Sequence, residues 1–385
     1  MIQPSIVSQY VKPSLTRKLF NMAKQLDDVI DFTLGDPDVP TPKPIQNAGC
    51  EAILAGKTRY SQNAGLLPLR QTISNYYNKK ENLLYNPDNE IIVTVGAMEG
   101  LFLTLLSIIN PGDEVIIPAP YYVNYVQMVY LCHGKPVIID NPDAEELSFN
   151  VEDIAKAVTD KTKAIIINTP ANPSAKLIPW KKLQGIADIA IKNNLAVISD
   201  EVYKCLIYDD IQFKSIVAID GMRERTVLIN SLSKEFCMTG WRIGYALAPK
   251  EIVETMTKLQ ENVCACAPLP SQYAAIEALS GNDYSSEMKN IFRKRRDVLV
   301  QGISQIKGIS CNTPEATFYL MVNISKTGMT SEEFAIKLLQ NARVATVPGI
   351  AYGKSCDKYI RIAFTLDEEK IKEGIARINN FMETL

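Results

Sequence analysis

Histidine is almost absent from this chain. A single one, His133, stands among 385 residues, which excludes a histidine-rich metal site and would leave a serine–histidine–aspartate mechanism resting on it alone. It falls in the turn Cys132-His133-Gly134-Lys135 ahead of a strand, where a structural role is expected. None of the eight cysteines forms a CxxC pair, and Cys264 and Cys266 are one residue apart, a spacing that suits neither a zinc knuckle nor a disulfide framework. Reduced thiols in the cytoplasm are the expected state. Net charge is lacking too: 41 basic against 43 acidic residues leave −2, giving no electrostatic case for nucleic acid or an anionic membrane surface. No apolar run reaches the roughly 18 residues of a spanning helix; the longest candidate, Gly100 to Ile109, is bounded by Glu99 and by Asn110-Pro111. The stretch before Asp27 carries Lys12, Arg17, Lys18 and Lys24 and no acid, a hint of a transit peptide, but it lacks the apolar core of a secretory signal.

What is present is an ordinary globular composition, 46% hydrophobic and 22% charged, which argues against disorder and fibrous repeats. The length predicts two or three domains at roughly 150 residues each. Short β-branched runs alternate with segments of helical period, and that rhythm predicts an α/β fold with a mostly parallel sheet between layers of helices. Strands are expected at Glu90 to Val95, Asp113 to Pro118, Lys163 to Asn168, Leu195 to Ser199, Thr226 to Asn230 and Ile243 to Ala248. Helices are expected at Ala97 to Ile109, Trp180 to Asn193 and Lys250 to Val263. After a long charged-faced helix, Tyr284 to Ile306, strands near Thr317 to Asn323 and Tyr359 to Phe364 alternate with helices at Ser331 to Asn341 and Asp367 to Thr384, which predicts a smaller α+β domain. The expected division is an N-terminal arm with part of the small domain over 1–48, a large domain over 49–283 and a C-terminal small domain over 284–385. The basic cluster Arg293 to Arg296 reads as the solvated face of the long helix.

In open α/β sheets ligands bind beyond the carboxyl ends of the strands, so the residues following each strand matter most. Gly96-Ala97-Met98-Glu99-Gly100 opens a helix whose free N–H groups and dipole make an anion site, or only a tight turn. Asn168-Thr169-Pro170-Ala171-Asn172-Pro173 is a proline-bracketed loop presenting two amides. Asp200-Glu201-Val202-Tyr203 places a carboxylate at the sheet terminus, where it is either a helix cap or a buried acid needing a cation. Ser231-Leu232-Ser233-Lys234 and Thr239-Gly240-Trp241-Arg242-Ile243-Gly244 set two hydroxyls and a guanidinium around an amine, an oxyanion site beside a nucleophile. Most lysines are solvated surface groups, but an anion pocket, a lysine and a buried acid together are what pyridoxal phosphate requires.

At these positions the chain resembles the class I/II aminotransferases of fold type I, aspartate aminotransferase-like, along its whole length. The family's Ser-x-Ser-Lys and Thr-Gly-x-Arg-x-Gly elements stand at 231–234 and 239–244, and its Asp-x-x-Tyr at Asp200 and Tyr203. The Asn-x-Pro-x-Asn-Pro-Thr-Gly loop ends here in Ser174-Ala175, so a backbone needing positive φ would be built slightly differently. Leu34-Gly35-Asp36-Pro37-Asp38 with Thr41-Pro42 resembles the N-terminal element, with Asp36 in place of Glu. Tyr60 ahead of Gly65 and Leu69-Arg70, Tyr122 in Pro120 to Tyr125, and Arg361 in Tyr359-Ile360-Arg361-Ile362 align with further family positions.

The resemblance implies a large domain with a seven-stranded sheet plus a smaller α+β domain, a homodimer with shared active sites, pyridoxal 5'-phosphate as cofactor, and an amino acid and a 2-oxo acid as substrates. It implies that Lys234 binds the cofactor covalently and then moves protons, that Asp200 pairs with its ring nitrogen, and that Asn172 and Tyr203 hydrogen-bond its ring oxygen. Tyr122 would stack on the ring. Ala97, Met98, Ser231, Ser233, Arg242 and the partner's Tyr60 would hold the phosphate, while Gly35, Asn172 and Arg361 would meet the substrate. Aspartate, alanine and aromatic donors stay open, since no aligned residue supplies an evident cation for a distal carboxylate. A β-eliminating C–S lyase uses the same lysine and aspartate and is the main alternative; a ligand-sensing regulator would need a DNA-binding extension, and the basic N-terminal stretch is too short for one while the net charge is −2.

Overall fold

Buried β-branched runs such as Ile91–Thr94 and Glu114–Pro118 have no exposed position, the mark of strands covered on both faces. In the computed structural model, which describes residues 2–140 and 147–385, these two join five further strands in one seven-stranded sheet. Their spatial order is Ile91–Thr94, Gly244–Leu247, Thr226–Ser231, Ala196–Asp200, Thr162–Asn168, Glu114–Pro118, Lys135–Ile139. All neighbours are parallel except around Gly244–Leu247, which runs antiparallel to both of its partners. Side chains alternate between two cores: Ile165, Ile167 and Val197 face Leu183, Ile186 and Ala274, whereas Ile166, Ile198 and Ile229 face Leu101, Leu105 and Met256. The α/β class is therefore as the sequence pattern predicts, and the seven-stranded sheet as the family resemblance implies. The strand Lys135–Ile139 escapes an apolar-run reading because it lies at the sheet edge with Lys135 and Ile138 exposed. His133 occupies its entry turn at φ 60°.

A third core surrounds a four-stranded antiparallel sheet ordered Val347–Pro348, Tyr359–Ala363, Tyr319–Asn323, Ser310–Cys311. Helices Ser285–Ser304, Ser331–Ala342 and Glu368–Glu383 cover it, the second opened by a reciprocal capping box between Thr330 and Glu333. Leu19, Ala23, Ile30 and Phe32 from the N-terminal segment belong to this same core, and Ile30–Asp31 pairs in parallel with Val344–Ala345. Residue 48 falls inside the continuous helix Lys43–Leu54, whose Ile45 is buried in the core of the large sheet.

The basic cluster on the long helix is only half solvated, which corrects the sequence reading. Arg293 and Lys294 are exposed, but Arg295 and Arg296 are buried on the face that carries Phe292 and Leu299. Arg295 forms two bonds to Asp38, at 2.7 and 3.2 Å, and a third to the Thr365 carbonyl. Arg296 pairs with Asp209 and Asp297 and lies over the Tyr208 ring at 4.7 Å. Burial is tolerated because each guanidinium finds carboxylate and carbonyl acceptors.

Candidate active site

Three adjacent parallel strands end in register, with Asn168 opposite Asp200 and Asp200 opposite Ile229, two residues short of Ser231. Beyond these ends lies a cavity of about 570 Å³ whose lining includes Tyr319 and Arg361. Of the residues singled out in the sequence, Gly35, Ala97, Met98, Tyr122, Asn172, Asp200, Tyr203, Ser231, Ser233, Lys234, Arg242 and Arg361 all line it. Tyr60 does not; it is 85% exposed and outside the cavity.

Lys234 sits in a four-residue helical turn immediately after the strand Thr226–Ser231. Its Nζ donates to the Gly35 carbonyl at 2.6 Å. Burial pulls its pKa down to about 8; Arg242 and Arg361 add to the fall and Asp36 opposes it. The fall raises the neutral, nucleophilic fraction of the amine near neutral pH well above that of an ordinary lysine. Gly35 has no room for a Cβ, which would collide with the Tyr319 phenol, so the close approach of Tyr319 to this backbone requires glycine.

Asp200 is buried, and among the described residues no cationic side chain forms an ion pair with it. Tyr125 donates to Oδ2 at 2.6 Å and the Val202 N–H to Oδ1 at 3.3 Å. Desolvation nonetheless raises its pKa to about 6, with both hydrogen bonds pulling the other way. A carboxylate so placed fits a cationic ring nitrogen supplied from the cavity.

The anion end is built from the N-terminus of helix Gly96–Ile108, Ser231, Ser233 and Arg242. The Ser231 hydroxyl donates to Ser233 Oγ at 2.9 Å, and accepts from the Ser233 N–H at 3.1 Å. Arg242 takes a left-handed conformation at φ 51°, and its guanidinium donates to the Thr239 carbonyl at 2.9 Å. A Cβ at Gly244 would meet the Ala97 nitrogen at 2.7 Å, so the glycine ending the Thr-Gly-x-Arg-x-Gly element lets the helix start press against the strand. Positive charge, hydroxyls and helix N–H groups together suit a phosphate.

At the opposite end Arg361 Nη1 donates to Asn172 Oδ1 at 2.8 Å and Nη2 to the Thr33 carbonyl at 2.6 Å. Its guanidinium stacks over Tyr319 at 4.2 Å and near Tyr352 at 5.2 Å, and its Nε has no hydrogen-bond partner among the described residues. Asn172 is held in turn through its N–H, which donates to Asn168 Oδ1 at 2.7 Å. Tyr122 lies edge-on to Tyr125 and accepts from Asn124 Nδ2 at 3.1 Å. Tyr203 is buried with its hydroxyl 3.0 Å from that of Tyr319.

Two features depart from expectation. Ala175, at the place of the motif glycine, itself adopts φ 57°, and its carbonyl accepts from the N–H groups of Glu315 and Ala316. Tyr125 and Tyr319 escape the sequence reading; Tyr125 ends the segment containing Tyr122, while nothing local marks Tyr319 as part of a cavity.

Comparison with known proteins gives the same picture. Residues 27–378 match the family described as aminotransferase class I and II. The chain is 40% identical over 375 residues to the aspartate aminotransferase of Pyrococcus abyssi, covering 97% of this chain and 96% of that protein. It is 35% identical to aromatic-amino-acid aminotransferase 2 of Thermococcus litoralis, covering 97% of each. The solved aspartate aminotransferase of Rhizobium meliloti superposes with a TM-score of 0.95 at 31% identity, over 100% of this chain and 99% of that one. These likenesses support amino-group transfer and not the C–S lyase alternative. An amine, an uncompensated carboxylate, an anion cradle and a fixed guanidinium around one cavity are thus explained by descent: the chain belongs to the class I and II aminotransferases.

Proposed function

We propose that this aminotransferase works with pyridoxal 5'-phosphate, held by Lys234, and moves the amino group of aspartate or an aromatic amino acid to a 2-oxo acid. The observation that carries the reading is the buried Asp200, with no cation paired to it, in the same cavity as the low-pKa Lys234. When bound, the cofactor supplies an electron sink for the charge left as the donor's α-carbon loses its proton. Lys234 Nζ is the nucleophile that secures the cofactor and, once released, the base that takes that proton and returns it. With the cofactor bound, Asp200 would keep its ring nitrogen cationic, and Tyr203 and Asn172 would hydrogen-bond its ring oxygen. Tyr122 covers the ring. Ser231, Ser233, Arg242 and the Ala97 and Met98 N–H groups hold the phosphate, while Arg361 and Asn172 orient the donor's carboxylate and Gly35 fixes Lys234.

Arg17, from the N-terminal helix Leu15–Ala23, also lines the cavity. It provides the cation for a distal carboxylate that sequence alone did not locate, and this favours aspartate. Tyr60, exposed in one chain together with Ile53 and Leu54, is proposed to complete the phosphate site of a second copy in a homodimer. The eight free cysteines fit a cytoplasmic setting. Residues 43–283 and 284–385 are proposed as the large and small domains, the first boundary being moved from 48 to the start of helix Lys43–Leu54 so that residues 1–42 go with the small one.

The test is the visible spectrum of cofactor-loaded protein as aspartate, glutamate, alanine, phenylalanine or cystathionine is added without an oxo acid. Loss of the band with aspartate, restored by a 2-oxo acid, is expected; regeneration with release of pyruvate and ammonia from cystathionine would overturn it. A single-chain mass by light scattering would overturn the shared-site reading.

A further inference from the structure

Thr317 is buried and takes φ 64°, a conformation that a β-branched residue adopts only under constraint. The constraint is visible. Its N–H donates to the Leu206 carbonyl at 2.8 Å, its carbonyl accepts from the Tyr208 hydroxyl, and its Oγ1 accepts from the Tyr319 N–H at 3.1 Å. The bend points the strand Tyr319–Asn323 so that Tyr319 reaches the cavity. There one side chain touches three parts of the site from distant segments: the Tyr203 hydroxyl at 3.0 Å, the Arg361 guanidinium at 4.2 Å, and the backbone of Gly35, whose carbonyl holds Lys234.

A phenol has one proton to donate and can also accept. Burial holds both phenols above their ordinary pKa, so both keep that proton at neutral pH. If Tyr203 gives its proton to an anionic oxygen in the cavity, it can only accept from Tyr319. We propose that Tyr319 is a positioning residue: its hydroxyl donates to Tyr203, leaving the Tyr203 proton for the cofactor's ring oxygen, and its ring face fixes Arg361 for the substrate carboxylate. This rests on the placement of Tyr203 beside that oxygen. Chained hydrogen bonds polarise one another, so the second phenol strengthens the first, while a guanidinium stacked on an aromatic face loses rotational freedom before substrate arrives.

The two contributions separate by substitution. Cofactor-loaded wild type, Tyr203→Phe, Tyr319→Phe, the double Phe variant and Tyr319→Leu are titrated with pH by visible absorbance without substrate, and KM is measured for the donor and the oxo acid. Tyr203→Phe should raise the spectral midpoint by roughly one unit and Tyr319→Phe by roughly 0.3–0.5 unit, a two- to threefold change in proton affinity. The double variant should match Tyr203→Phe alone, since Tyr319 acts only through Tyr203. Tyr319→Phe keeps the ring and should leave KM within about twofold, whereas Tyr319→Leu should raise it roughly five- to tenfold. A midpoint moved by Tyr203→Phe but not by Tyr319→Phe overturns the relay, as does simple additivity in the double variant. A midpoint unmoved even by Tyr203→Phe overturns the placement of Tyr203, and the role of Tyr319 with it. Equal KM values in the Phe and Leu variants overturn the role of the ring.

Discussion

The phenol of Tyr125 donates to Oδ2 of Asp200 at 2.6 Å across 75 residues of chain. This bond favours the charged carboxylate against the desolvation that pushes its pKa up. Tyr125→Phe should therefore weaken cofactor binding by about tenfold, the value of a hydrogen bond to a buried charge. Equilibrium dialysis of the cofactor measures it, and unchanged affinity would detach Tyr125 from the site.

Without cofactor, Asp200 works against the fold. Its folded pKa of about 6 lies above the ordinary 3.8, so the folded state binds the proton more tightly. The stability this residue contributes is complete below the unfolded pKa and falls away as pH rises through about 6. Asp200→Asn should remove that slope and make cofactor-free protein more stable at pH 7 by on the order of 2–3 kcal/mol, while abolishing tight cofactor binding. Thermal melts of both cofactor-free proteins across the acidic range give the answer.

Lys234 has the opposite sign. A lysine held at about 8 instead of 10.5 binds fewer protons folded than unfolded between those values. Its contribution is therefore present above the unfolded pKa and lost as pH falls toward about 8. Cofactor-free wild type should gain stability from pH 8 to 10 relative to Lys234→Met, and parallel melting curves would contradict the depressed pKa. Lys234→Ala should abolish turnover; retained turnover would refute the assignment.

Lys204 is nearly buried, ion-paired with Glu81, 3.9 Å from Glu201, and 3.8 Å above the Tyr77 ring. Glu201 Oε2 has no hydrogen-bond donor. Lys204→Met leaves two carboxylates facing one another in a desolvated space and should cost roughly 3–5 kcal/mol in urea unfolding. Adding Glu81→Gln should recover part of it.

Arg361→Lys should raise KM for both amino acid and oxo acid by about tenfold or more while changing kcat less. An ammonium cannot keep the bonds to Asn172 and Thr33 and also present a planar fork. Steady-state kinetics separates the two parameters.

The large sheet was readable because buried strands are written as β-branched runs, and much of the site because the stretches 231–234 and 239–244 are contiguous in sequence. The contributions of Tyr125 and Tyr319 were not, since each is defined by a partner 75 or 116 residues away. Arg295 and Arg296 looked solvated for the same reason: Asp38 and Asp209, which neutralise them, lie 257 and 87 residues off. Ala175 shows the converse, a motif departure at which a non-glycine residue itself takes the positive φ.

Lys234 meets Gly35 across 199 residues, and Arg361 meets Thr33 across 328. A ribosome-bound chain that has not yet delivered its final strand therefore has no groove to receive a substrate carboxylate, however well its larger sheet has formed. Chemistry arrives only with completion, and a truncated product is silent rather than promiscuous.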